Sequence, residues 1–92
     1  MTVIIREAAY RDLDQIYAWI ATDRPRAAKT VIESILSSIG LLETFPLIGR
    51  AGRTSGTREI VVGGLPYIIV YTVDRESDEV TIIAVFHAAQ NR

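Results

Sequence analysis

The side chains in this sequence that could do chemistry are few. They are one histidine, His87; three of the nine arginines, Arg50, Arg53 and Arg58; an acidic run, Asp74, Glu76, Asp78 and Glu79; and four tyrosines. A proton-transfer group working near neutral pH is most often a histidine. His87 falls where the last apolar run ends, and no neighbouring carboxylate is placed to orient it, so it reads most simply as a hydrogen-bonding group at a strand end. The arginines lie in or just after the segment LIGRAGRTSG, Leu47 to Gly56. A glycine-rich, arginine-bearing loop can receive an anion through backbone N–H groups and guanidinium forks, or it can be a solvated connection. It is not a P-loop, because no Gly-Lys-Ser/Thr follows. With one histidine and no cysteine, no metal site is expected. The acidic run lacks the glycine and ligand spacing of an EF-hand and reads as a hairpin turn. Tyr67 and Tyr71 read as packing residues with polar tips. No cofactor is implied.

These groups must be positioned by the stretch Thr57 to His87, TREIVVGGLPYIIVYTVDRESDEVTIIAVFH, whose apolar runs are rich in Val, Ile, Tyr, Phe and Thr. Gly63-Gly64-Leu65-Pro66 and Asp74 to Asp78 divide it into three consecutive antiparallel strands. Strict alternation places Tyr67, Ile69, Tyr71 and Val73 on one face with Val80, Ile82, Ala84 and Phe86. The other face then carries Ile68, Val70, Thr72, Thr81, Ile83, Val85 and His87, and is more apolar than a solvated face usually is. Val3-Ile4-Ile5 is a further strand that must join at a free edge. Between them, Ala9, Leu13, Ile16, Tyr17 and Ile20 recur at helical spacing from Ala8 to about Thr22, with Arg11, Asp12, Asp14 and Gln15 on the solvent side. Asp23 is a candidate cap and Pro25 opens a second helix, which runs through Ala28, Val31, Ile32, Ile35, Leu36, Ile39 and Leu42 to about Thr44. Phe45-Pro46 ends it. Trp19 lies off the first helix's stripe, either at the boundary with the second helix or as an exposed anchor for a partner. The expectation is one α+β domain over residues 1–92: a two-layer sandwich of N-terminal strand, helical hairpin and three-stranded antiparallel meander. Two apolar sheet faces with one helical layer leave a face for a partner.

Half the residues are apolar and the formal net charge is -1, with a pI near 5.7. An overall basic field of the kind that binds nucleic acid through phosphates is missing. The absence of cysteine suits a reducing cytosol. No apolar run approaches the roughly 20 residues that span a bilayer, and the opening MTVIIRE is unlike a signal peptide. A cytoplasmic protein with no membrane association is expected.

The order of motifs resembles the ParE/RelE superfamily of toxins from bacterial type II toxin–antitoxin systems. The resemblance is carried by Asp12-Leu13 and Ile16; by Leu42 with Phe45-Pro46-Leu47-Ile48-Gly49-Arg50; by Gly56-Thr57-Arg58-Glu59; by Pro66-Tyr67-Ile68-Ile69-Val70-Tyr71; and by the ending Val85-Phe86-His87-Ala88-Ala89-Gln90-Asn91-Arg92. It implies a toxin of the kind associated with plasmid stabilisation, held in a hetero-oligomer by an antitoxin that lies along it. Trp19, Arg50, Arg53, Arg58, Ile68, Val70, Ile83 and Val85 are the candidate antitoxin- or target-binding residues. RelE-like members cleave mRNA on the ribosome, which would make Arg58 a transition-state clamp and His87 an acid or base. ParE-like members inhibit DNA gyrase by protein–protein binding. The lone lysine, Lys29, is on a helix, so the strand lysines of the ribonucleases are missing. The acidic balance also disfavours docking on ribosomal RNA. The ParE-like branch is therefore expected, with a ParD-like antitoxin, gyrase as target and no catalytic residue.

Overall fold

The computed structural model describes residues 1–89. Gln90, Asn91 and Arg92 of the closing motif lie outside the described residues. Seven elements follow in order: β1 (Thr2–Ile5), α1 (Glu7–Ala21), α2 (Pro25–Leu41), β2 (Arg50–Ala51), β3 (Arg58–Val61), β4 (Tyr67–Asp74) and β5 (Glu79–His87). The strands form one sheet in the order β1-β5-β4-β3-β2. The three later strands make the expected antiparallel meander, and β1 joins its free edge parallel to β5, with Val3 opposite Val80 and Ile5 opposite Ile82. A parallel neighbour needs a crossover, and the α1–α2 hairpin begins that return path.

The hairpin covers one sheet face. Ala9 and Leu13 of α1 and Ile35, Ile39 and the following Leu42 are buried against Val62, Tyr67, Ile69, Tyr71, Val80, Ile82 and Val85. At α2, Pro25 occupies the first turn as expected, but the capping position is Arg24 and no side chain caps it, so Asp23 is not the cap. The helix stops at Leu41, ahead of Phe45-Pro46, through a short run of turns in which the Phe45 N–H donates to the Leu41 carbonyl.

Two features depart from the sequence reading. The loop Leu47–Gly56 contains a strand: Arg50 and Ala51 pair with Glu59 and Arg58, adding a fifth strand at the edge. More consequential is a bulge in β5. Val70 faces Ala84 while Tyr71 faces Ile82, so Ile83 has no partner across the ladder. One extra residue reverses the alternation downstream of it. Val85 and His87 therefore join Tyr67, Ile69 and Tyr71 on the helix-covered face, and Ala84 and Phe86 move to the open face with Ile68 and Val70. The placement of Val85 and His87 on the open face, and of Ala84 and Phe86 in the core, is thus corrected.

Candidate functional site: a braced loop and an apolar edge

The connection from α2 to β2 is held from beneath by two side chains of the sheet. Tyr71 is fully buried, and its hydroxyl donates to the Pro46 carbonyl at 2.8 Å while accepting the Gly49 N–H at 2.8 Å. Arg58 lies opposite Tyr71 in the ladder, and its Nη1 donates to the carbonyls of Gly49 at 2.9 Å and Leu47 at 3.3 Å. The loop's polar backbone is satisfied inward, as a near-core segment requires. Gly49 is dictated by this closeness: a Cβ there would sit 2.5 Å from the Tyr71 hydroxyl and 3.0 Å from the Glu59 carbonyl. With its backbone tied down, the loop turns its side chains outward, leaving Phe45, Leu47 and Ile48 exposed.

Arg58 is therefore engaged with backbone carbonyls. Arg50 reaches Glu59 at 3.6 Å, and the Arg53 N–H donates to the same carboxylate at 3.1 Å. An acid at the centre of the arginine segment offsets the charge that an anion would seek.

His87 stands at the far end of the same face. Its ring meets Tyr67 edge-on, with centroids 5.4 Å apart, and its Nδ1 accepts the Ala89 N–H at 3.0 Å. Burial raises the Tyr67 phenol above its ordinary value of 10.0, which keeps it protonated at neutral pH. Arg58 is opposite Tyr71 and His87 opposite Tyr67, on the two sides of β4. That register sets the Arg58 and His87 Cα atoms about 16 Å apart.

One contact had no sequence signal. β1 pairs with residues 79–82 of β5, so Val85 lies beyond its reach. Asp12, expected on the solvent side of α1, is half-buried and its carboxylate accepts the Val85 N–H at 2.9 Å. The two residues are 73 positions apart.

The remaining candidates are spread over the surface. Trp19 is 75% exposed on α1, which excludes the helix–helix boundary position. Ile68 is on the open sheet face but nearly covered, Val70 is partly exposed there, Ile83 is the bulged residue and Val85 is in the core. At the opposite edge, Ser38, Leu41, Ile48, Arg50, Glu59, Ile60, Val61 and Gly63 line a notch of about 390 Å³. Among the described residues there is no cluster of metal-ligating side chains and no helix long and apolar enough to cross a membrane. The arrangement offers contact surfaces on a rigid frame.

Comparison with known proteins agrees with this frame. A family model described as the ParE toxin of the type II toxin–antitoxin system parDE matches residues 3–92. The protein Y4kP of Sinorhizobium fredii, named as a candidate toxin, is 43% identical over 82 residues, which are 89% of this chain and 82% of Y4kP. A chain of the chromosomal ParDE toxin–antitoxin system of P. aeruginosa shares the fold at a TM-score of 0.84, with 95% of each chain covered and 21% identity. A chain of the RelBE2 toxin–antitoxin complex of Mycobacterium tuberculosis is 30% identical at a TM-score of 0.65, covering 94% of this chain and 95% of its own. This chain belongs to the ParE toxin family of type II toxin–antitoxin systems, within the ParE/RelE superfamily.

Proposed function

We propose that this toxin acts by binding a protein target, DNA gyrase, and is neutralised by a ParD-like antitoxin that lies along its apolar surfaces. The observation that carries the reading is the separation of Arg58 from His87. Cleavage of a phosphodiester needs a proton-transfer group and a charge-stabilising group within hydrogen-bond reach of one substrate. Here the two candidates are on either side of β4, one bracing a loop and the other packed on Tyr67. Exposed apolar residues are plentiful by contrast: Trp19, Leu41, Phe45, Ile48 and Val61 are each at least half exposed. Patches of that kind serve protein contacts.

The test is to induce the toxin alone and follow plasmid supercoiling and mRNA integrity in the same cells. Loss of negative supercoiling with intact mRNA is the expected result. In vitro, purified toxin should block gyrase supercoiling, and His87→Ala should block it equally well, since truncating one peripheral side chain usually costs below about 1 kcal/mol of binding. Ribosome-dependent cleavage of mRNA by the wild type that vanishes in His87→Ala, with the fold unchanged, would replace this reading with a RelE-type ribonuclease.

A further inference from the structure

The formal net charge of -1 conceals a separation of charge along the molecule, which is 43 Å long and 25 Å by 24 Å across. The Thr2 N–H donates to the Asp78 carbonyl, so the acidic β4–β5 turn sits at the start of β1. The Met1 amine donates to the Glu43 carbonyl, so α2 returns to that same end. α1 starts beside Ile82, whose carbonyl accepts the Arg6 N–H, and has reached Val85 by Asp12, so it advances with β5. β5 goes on only two residues past Val85, about 7 Å, whereas α1 continues nine residues past Asp12, about 13.5 Å. The turn between the helices therefore overhangs the sheet. At that tip Arg24, Arg26 and Lys29 are exposed, and among the described residues none of them forms an ion pair. Asp23 is the only acid among residues 22–30, while the opposite turn carries Asp74, Glu76, Asp78 and Glu79 against Arg75 alone. At physiological salt, exposed charges more than about 8 Å apart are largely screened from one another. The tip is thus a basic surface whatever the total charge.

Stability does not account for this placement. The start of a helix favours acids and a Ser, Thr, Asp or Asn cap, and cations there are unfavourable. α2 instead has Arg24 in the capping position, no side-chain cap and no acid in its first turn. Local rules broken without a structural gain mark functional surfaces. We infer that the tip of the helical hairpin contacts the phosphate backbone of the duplex held by gyrase, so that the toxin docks partly on protein and partly on DNA. The inference rests on the gyrase reading proposed above. Two features select DNA over an acidic protein surface. Trp19, 75% exposed in the last turn of α1, adds an aromatic anchor for protein at the same end, and the protein it would meet carries DNA. A duplex presents a phosphate about every 1.7 Å of its axis, so three cations find partners in any register, whereas scattered carboxylates demand a matched geometry. Contacts to so few phosphates do not hold DNA unaided, in keeping with the lack of an overall basic field. They add instead to a protein contact that already holds the tip close.

The experiment compares the toxin's affinity for gyrase alone with its affinity for gyrase loaded on a linear duplex. The wild type should bind the loaded enzyme at least tenfold more tightly, with log affinity steeper in log salt by about 2–3. The combined variant Arg24→Gln, Arg26→Gln, Lys29→Gln should bind both forms as the wild type binds gyrase alone. It should melt no lower than the wild type, because it relieves the start of α2 of unfavourable charge. Each single substitution should lower the salt slope by about one, and these carry the test if the combined variant does not fold. Arg75→Gln, at the far end, should behave as the wild type does. Equal wild-type affinity for gyrase with and without the duplex overturns the contact and leaves the gyrase reading standing. If the combined variant loses as much affinity for gyrase alone, the tip meets an acidic protein surface and the assignment to DNA falls. If the wild type binds neither form, the gyrase reading itself fails and takes this contact with it.

Discussion

Tyr71 carries more than packing. Its hydroxyl is the shared partner of Pro46 and Gly49, and the ring lies where a Cβ on residue 49 would have to go. Tyr71→Phe keeps the ring and strands one buried donor and one acceptor, each costing about 1–3 kcal/mol when left unpaired. The expected loss is about 2–6 kcal/mol in urea unfolding, with an unchanged m-value. Gly49→Ala forces the tyrosine or the loop to shift, and overpacking of that kind costs about 1–3 kcal/mol. The two losses should be less than additive in a double mutant, because both act on one contact. Additive losses in the double-mutant cycle would separate the two groups. Arg58 belongs to the same brace, so its reversal to glutamate disturbs the loop as well as any surface it meets. Arg50 and Arg53 are the cleaner probes of charge at the proposed partner surface.

At the level of elements, the helices and the meander were legible in the sequence, because apolar spacing and Gly/Pro punctuation are local signals. The β5 bulge was not. Val80 to Phe86 alternates plausibly in either register, and nothing between Thr81 and Val85 marks Ile83 as the extra residue. The bulge moves Val85 and His87 to the helix-covered face and Ala84 and Phe86 to the open one. β2 was equally hidden, because two residues in a Gly-Arg-Thr segment carry no strand pattern. Asp12 shows why distant contacts stay unread: a carboxylate on the outer stripe of α1 looks solvated until β5 arrives beside it. Asp12→Ala leaves the Val85 N–H half-buried and should cost about 1–3 kcal/mol, whereas Asp12→Asn retains an acceptor and should cost less. Equal losses would mean the bond contributes nothing.

The β4–β5 hairpin has its own titration. The Ser77 and Glu76 N–H groups donate to Asp74 Oδ1, and the Ser77 contact chiefly holds the Asp74 carboxyl below its ordinary value of 3.8. A depressed carboxyl stabilises the fold above its unfolded pKa, and that stabilisation is lost as pH falls through the lower folded value. The Asp74 side chain should therefore titrate below 3.8 by NMR, with the Ser77 and Glu76 amides following the same curve. A midpoint at or above 3.8 would mean that the turn bonds do not favour the ionised form.

On the scale of the whole molecule, a thin two-layer sheet domain is left with contact surfaces on several sides. The open face meets the β3 edge at Val61, opposite Ile68, while Trp19 is exposed on α1. The family was recognisable from motif order spread over the whole chain, and the matching family model spans residues 3–92. The residues of the candidate site were only partly legible. Sequence placed the arginine loop and the exposed aromatic, but which arginine braces the loop and which edge is bare are consequences of pairing between strands.

The parallel pairing of β1 with β5 sets a timetable for biosynthesis. Thr2 to Ile5 cannot find their neighbours until Glu79 to Ile82 have been made, and Asp12 waits for Val85. Such separations raise contact order and slow folding. At about 5–20 residues per second, the first strand and the helical hairpin spend several seconds without the strand that buries them. For nearly its whole synthesis the nascent chain therefore exposes the apolar stripes of the helical hairpin that the folded protein buries. Ribosome-stalled chains ending at residue 78 should be cleaved readily by protease, while chains in which residue 89 has cleared the ribosome should resist. Resistance at residue 78 would show that α1, α2, β3 and β4 close without the final strand.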